Sequence, residues 1–555
     1  MAMATAMAMV TGMPAEMAQA RCRAPEGLRV TGMRPLALGV IILVLATRAG
    51  AQAPAPAAGG APALAAVPAA GGGGADGVPA RAWSIVPRIS ASETYSDNAV
   101  ATAAGPKPDF ITQLSPGIRI QGRSARLRAS VDYSLSHFSY ARGTQASRNT
   151  NALNATGTLE AIEKWLYIDA SGVITQQTIS AFGVQTANAA ATPGNSTETS
   201  SFRVSPYVRG LVPGFANYEI RYSHVDTQSR SALAAGSRSD DYALRLRGLA
   251  PPVGFGWTAD ATRTSAVYSG GRDSRADLVR ATLNYQFDRQ FRLFASLGAE
   301  SNNYASTTAQ SRSTFGYGGQ WSPTERTQLS VNRERRTFGD SHSVTFSHRM
   351  PLTALRFSDT RNVNILPSQL SNTGQGTYYD LYFAQLAASV PDPVARAQQV
   401  GTLLQQAGIA PNATVTNGFA TSRVSVSRRQ EFSIILNGAR NTATYTFFQS
   451  VQQTLGATAS VADDFNVSPT VTTRGMSSNF SHRLSPLTSL NAFSSISLTE
   501  GTAGQSARQR LLNVNVSTKL SPKATATLGF RATRSDNATL PYRENAVLAT
   551  FVSTF

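Results

Sequence analysis

The side chains best suited to proton transfer or metal binding are the five histidines, His137, His224, His342, His348 and His482, of a 555-residue chain. His342 and His348 share one face of an alternating segment, but no serine and acid accompany them in the pattern that marks a nucleophile and its base. The histidines do not recur at metal-ligand spacing, and the single cysteine, Cys22, lies far from all of them. The glycine-rich "GFGW" at 254–257 is followed by no helical pattern, so it is not a phosphate loop. These residues point away from an enzyme, and no cofactor or metal is expected.

Cations carry more information. The formal net charge is +18, and Arg126, Arg128, Lys519 and Arg531 all fall on the polar side of alternating segments. Further arginines cluster in "RERR" at 333–336 and "SRR" at 427–429. If the polar side lines a pore, its field favours anionic solutes. The competing reading is that these arginines pair with carboxylates or meet lipopolysaccharide phosphates. No nucleic-acid partner is expected of an exported chain.

The elements that must position these residues are strands. In "ARLRASVDYSLSHF" the residues Ala125, Leu127, Ala129, Val131, Tyr133 and Leu135 oppose Arg126, Arg128, Ser130, Asp132, Ser134 and Ser136. The segments "LLNVNVSTKL" and "ATATLGFRAT" alternate in the same way. Strict alternation over about ten residues is the pattern of a barrel strand with lipid on one side and water on the other. Strands of soluble sandwiches are commonly shorter, about 5–6 residues. Only 15% of residues are charged and mean hydropathy is −0.16, which excludes a helical membrane protein.

Tight turns recur near Arg123, Glu163, Pro213, Pro252, Arg289, Pro323, Pro351, Gly438, Pro486 and Pro522. Several have the form x-Pro-x, because proline pre-sets a turn and cannot serve a central ladder. Longer polar stretches such as 179–199, 230–239 and 453–469 lie between them. Short turns on one rim and long loops on the other predict an all-β, antiparallel up-and-down transmembrane barrel of about 22 strands, with roughly 18–24 as bounds. The segment 543–555 alternates to its end and puts Val547, Phe551 and Phe555 on one face. Those three are expected to act as the assembly signal, with Phe555 at the periplasmic aromatic girdle.

Upstream, residues 1–51 read as a secretory leader whose core is "MRPLALGVIILVLATRAGAQA", with Met33 as an alternative initiator to Met1. Its apolar run of about 11 residues is too short to span a bilayer, and cleavage is expected after Ala51. Residues 52–81 form an Ala/Pro/Gly linker, and 82–555 form the barrel. One stretch, 362–420, breaks the alternation. Its segment 378–408 reads as a helical insertion in a long extracellular loop, with Asp392 as N-cap, Pro393 at the first helical position and Gly408 as the stop. That loop is expected to limit the pore, the alternative being a merely long surface loop.

The segments "RISASETYSDNA", "DFITQLSPGIRIQGRSARLRASVDYSL", "WSPTERTQLSVNRERRTFG", "VPDPVARAQQV", "GARNTATYTFF" and "ENAVLATFVSTF", in that order, resemble the PEP-CTERM system-associated outer membrane proteins. The resemblance covers about 82–555 and departs from the usual barrel ending at Ser553. It implies an outer-membrane location in Gram-negative bacteria that make exopolysaccharide and exosortase-sorted surface proteins. It transfers no catalytic residues. The expected role is a pore, export or anchoring component. The alternative is a structural or adhesive barrel with a blocked lumen. Expected partners are outer-membrane lipid and lipopolysaccharide, the barrel-assembly machinery, and anionic exopolysaccharide or exosortase-sorted proteins.

Overall fold

Alternation over long segments is realised as one closed sheet. The computed structural model describes residues 83–103, 105–185, 194–231, 236–249, 253–365, 419, 421, 423–456, 463–537 and 541–555. The expected leader, the linker and the helical insertion at 378–408 lie outside these residues. Twenty-two strands, β1 (Trp83–Ser96) to β22 (Tyr542–Thr554), follow one another as an antiparallel meander. β1 pairs with both β2 (Asp109–Arg123) and β22, so the sheet has no free edge and every strand has two neighbours. Closure is what a membrane demands, since lipid offers no partner to an unpaired backbone group.

The expected tight turns whose residues are described each join two consecutive strands. Pro213 and Gly214 connect β6 (Ser196–Val212) to β7 (Ala216–Ser229), with Gly214 at φ 73°, a conformation that favours glycine. The weak stretches at 83–96 and 353–361 do form β1 and β15 (Thr353–Asn364). The opposite rim is less uniform than the sequence suggests. β13 (Thr327–Arg336) and β14 (Gly339–Arg349) are joined there by only Thr337 and Phe338.

The outward face is apolar through the middle of the strands. Leu297, Val279, Leu528, Leu283 and Ile220 are all more than half exposed, an arrangement that only a lipid solvent makes favourable. All four tryptophans, Trp83, Trp165, Trp257 and Trp321, lie at the short-turn rim. Phe215 meets Trp257 there at 5.2 Å between ring centroids, and Phe255 meets Tyr285 at 4.6 Å. The Trp83 ring lies over Gly122 of the next strand so closely that a Cβ there would sit 2.3 Å from it. Phe555 is 66% exposed on the same rim. This is the aromatic girdle of a transmembrane barrel, and by the topology of bacterial barrels the short-turn rim faces the periplasm. The protein is an outer-membrane-type β-barrel.

Candidate functional site

The inward face is the surface a solute would meet. Hydroxyl and amide side chains pair across neighbouring strands along it: Ser205 with Ser223 at 2.8 Å, Ser201 with Thr227 at 3.0 Å, Thr473 with Thr499 at 3.1 Å, and Asn491 with Asn515 at 3.2 Å. Arginines and carboxylates are set among them. Asp132 takes Arg88 at 2.5 Å and Arg119 at 2.8 Å, Arg221 bridges Asp169 at 2.8 Å and Glu219 at 3.1 Å, and Arg280 reaches Glu334 at 3.2 Å. The guanidinium carbons of Arg209 and Arg221 lie 4.1 and 3.8 Å from the Tyr167 and Tyr207 ring centroids, so the cations cover these rings.

The four lumen candidates are not brought together. Arg128 of β3 (Leu127–Tyr140) and Lys519 of β20 (Ser506–Ser521) face inward and are exposed near the short-turn rim. Arg126 sits on the β2–β3 turn, 3.6 Å from Glu163 of another short turn. Arg531 of β21 (Ala524–Asn537) is buried in the long-loop half, paired with Glu544 of β22 at 3.1 Å. Glu544, with no exposed surface, also accepts a hydrogen bond from Ser96 of β1 at 2.9 Å. Arg531, Glu544 and Ser96 thus tie together the three strands at which the barrel closes. Of the assembly candidates, Val547 and Phe551 face outward on β22 at 49% and 43% exposure, and the Phe555 N–H donates to the Pro87 carbonyl of β1 at 2.9 Å.

The histidines face the other way. His137, His224, His342, His348 and His482 all share register and face with outward residues such as Leu114, Tyr242, Phe346, Leu355 and Phe480. His224 and His342 contact Asp240 at 2.9 Å and Asp359 at 3.0 Å on the outer surface. Among the described residues no group of acids, histidines or cysteines is arranged to hold a metal. The arginines of "RERR" and "SRR" are split by strand alternation: Arg333, Arg335 and Arg428 point outward, while Arg336 and Arg429 point inward to Glu300 at 2.7 Å and Glu431 at 2.8 Å.

What the alternation does not disclose is a layer of loop segments folded into the long-loop mouth. The segment 179–185 leaves β5 (Leu166–Thr178) and crosses to the far wall. The Ser180 Oγ and Ala181 N–H donate to Asp464 at 2.7 and 2.6 Å. Asp464 opens α1 (Asp464–Val467), a single turn in the loop before β18 (Thr470–Arg483). Asn537 of β21 donates to the Phe182 carbonyl, and Gln509 of β20 and Tyr542 of β22 donate to the Gln185 carbonyl at 2.6 and 2.9 Å. Fully extended, 179–185 covers about 24 Å. A barrel of this strand number is about 40 Å across, so the strap alone cannot seal it. Other loop segments pack beside it. Phe419, 1% exposed, packs edge-on against Phe465 of α1 at 5.0 Å, together with Ala181 and Val471. Ala99 packs on Ile111, Phe138 and Tyr140, and Ala101 on Val184 and Tyr542. Asp463 joins in through Arg423 at 3.2 Å and Thr421 at 2.5 Å.

Burial holds the Asp464 carboxyl above its ordinary value, outweighing the hydrogen bonds from Ser180 and Ala181 and reinforced by the neighbouring Asp463 charge. A signal of this roof was present in the sequence. Phe138, Tyr140, Tyr268, Val471 and Tyr542 are apolar or aromatic residues on the polar face, each near a long-loop end, and each is buried.

No family model and no curated protein matches the chain. Among solved structures, a mutant ferric enterobactin receptor from Pseudomonas aeruginosa is similar at 9% identity over 85% of this chain and 81% of that one, with a TM-score of 0.40. The siderophore receptor PirA of the same organism gives 9% identity over 85% and 80%, with a TM-score of 0.37. The FrpB iron transporter from Neisseria meningitidis gives 9% over 85% and 81%, with a TM-score of 0.38. Function therefore rests on the chain's own geometry.

Proposed function

We propose that this barrel is the outer-membrane pore component of an exopolysaccharide or exosortase-linked surface system, closed at rest by its inward loop layer. The observation that carries the reading is the combination of a hydroxyl- and arginine-lined lumen with a roof held by side-chain hydrogen bonds and small apolar clusters, not by the sheet. A wall of Ser, Thr and Asn offers the donors and acceptors that a sugar polymer carries, with few greasy surfaces to hold it. Exposed cations such as Arg128 and Lys519 near the periplasmic rim favour an anionic polymer at the entrance. The roof contacts are individually modest, so displacing the strap costs far less than opening the sheet. The chain's own residues act by field and hydrogen bonding, with no chemical step.

The same roof favours a second reading, a structural or adhesive barrel whose lumen never opens. The two separate in cells. A null strain complemented with wild-type protein regains surface polysaccharide under the pore reading. Complementation by a variant with the strap cross-linked shut, through cysteines at Ser180 and Asp464, would restore it only under the structural one.

A further inference from the structure

Outward arginines form a collar just above the apolar band on the long-loop side, and several of them meet a carboxylate. Arg238 pairs with Asp226 at 3.3 Å, Arg263 with Asp277 at 2.6 Å, Arg333 with Asp340 at 2.6 Å, Arg428 with Asp359 at 2.8 Å, and Arg474 with Glu500 at 3.1 Å. Arg361 also stands opposite Arg428, beside Asp359, but the longer row of arginines in direct register lies elsewhere. On β20, β21 and β22 the outward residues Arg510, Arg534 and Arg543 stand directly opposite one another in register, and Arg508 stands one step above Arg510 on the same face. Asp536 is the carboxylate of this sector, taken by Arg534 at 2.8 Å. Among the described residues, Arg508, Arg510 and Arg543 have no carboxylate in ion-pair contact, and all four arginines are exposed.

Like charges placed directly across neighbouring strands oppose sheet formation, so this row is unfavourable without a counter-anion. Directly below it the outward face turns apolar, with Leu512, Phe530 and Val547 each more than 40% exposed. A ligand seated here therefore has phosphates at the level of the arginines and acyl chains below them. Adjacent strands lie about 4.8 Å apart, close enough for guanidiniums from two strands to grip one phosphate. We infer that the Arg508–Arg510–Arg534–Arg543 row is a binding site for the phosphorylated glycolipid of the outer leaflet, gripping its headgroup phosphates.

Native mass spectrometry of the full barrel in detergent, titrated with bis-phosphorylated lipid A and with its dephosphorylated form, tests this. Wild-type protein should prefer the phosphorylated lipid at least tenfold. The variant Arg510→Gln/Arg534→Gln/Arg543→Gln should lose that preference, whereas Arg128→Gln on the lumen face should keep it. Asp536→Asn, which removes the competing carboxylate, should bind several-fold tighter, and this arm remains informative if the triple variant fails to fold. Equal binding of both lipids, an unchanged triple variant, weaker binding by Asp536→Asn, or binding of an anionic oligosaccharide in place of lipid A would each overturn the assignment.

Discussion

Replacing Asp464 by alanine removes the two hydrogen bonds that tie the strap to α1, from Ser180 Oγ at 2.7 Å and the Ala181 N–H at 2.6 Å. Hydrogen bonds to a charged acceptor contribute about 1.5–3 kcal/mol each. Burial of the carboxylate costs more than those two bonds return, but its removal leaves the Ser180 hydroxyl and the Ala181 N–H unpaired at about 1–3 kcal/mol each, so the seated strap still loses about 2–3 kcal/mol on balance. A tenfold change costs about 1.4 kcal/mol, so the unseated fraction should rise roughly 30- to 150-fold. Single-channel recording in planar bilayers reads this as open probability at fixed voltage. Acidification should act the opposite way. Burial raises the Asp464 pKa in the seated state, so that state binds its proton more tightly than the released one. Its stability is fully present below the ordinary carboxylate value of 3.8 and is lost as pH rises through the raised value. Openings should thus become rarer as pH falls toward about 4, and Asp464→Asn should flatten that dependence. Open probability unchanged by Asp464→Ala would refute the latch. So would openings that increase in acid.

Glu544→Ala should lower barrel stability by about 3–5 kcal/mol, because it strands the buried Arg531 cation, and Glu544→Ala with Arg531→Met should recover most of the loss. Urea unfolding in lipid vesicles reads both, and a single-variant loss under about 1 kcal/mol would contradict the seam role assigned to this pair. Deleting Phe555 removes both a girdle ring and the hydrogen bond to Pro87, so outer-membrane levels should fall several-fold while periplasmic stress proteases are induced. Wild-type levels would deny it any part in assembly. In a roof-released background, Arg128→Glu with Lys519→Glu should shift ion selectivity toward cations, and an unaltered reversal potential in a salt gradient would show that these residues do not set the lumen field.

Much of the fold was legible because a barrel strand writes its two solvents into successive residues. The run from Leu127 to Leu135 and the run from Leu512 to Val516 each place the expected residues outward, and the proline turns at Pro213 and Pro522 each join two strands. The even strand number followed from the turns. The long-loop rim was harder, since no pattern distinguishes the turn at Thr337–Phe338 from a longer loop. Least visible was the roof. Its contacts join residues far apart in the chain, as Ser180 to Asp464 and Phe182 to Asn537, through segments with no periodicity. The lumen arginines showed a different limit: alternation told that Arg531 faces inward but not that Glu544 waits there to neutralise it. Phe419 is the one described residue of the 362–420 loop beyond Ile365 that the expected gate included, and it is buried in the roof.

The most direct test of a pore closed by its own loops is conductance. Wild-type protein should be compared in planar bilayers with a variant in which residues 180–185 are replaced by a Gly/Ser stretch of equal length. Both should show heat-modifiable migration, so that a folded barrel is compared with a folded barrel. We expect rare openings from the wild type and sustained, large, anion-preferring conductance from the variant. Equal conductance from the two, whether both silent or both open, would contradict the closed-pore reading.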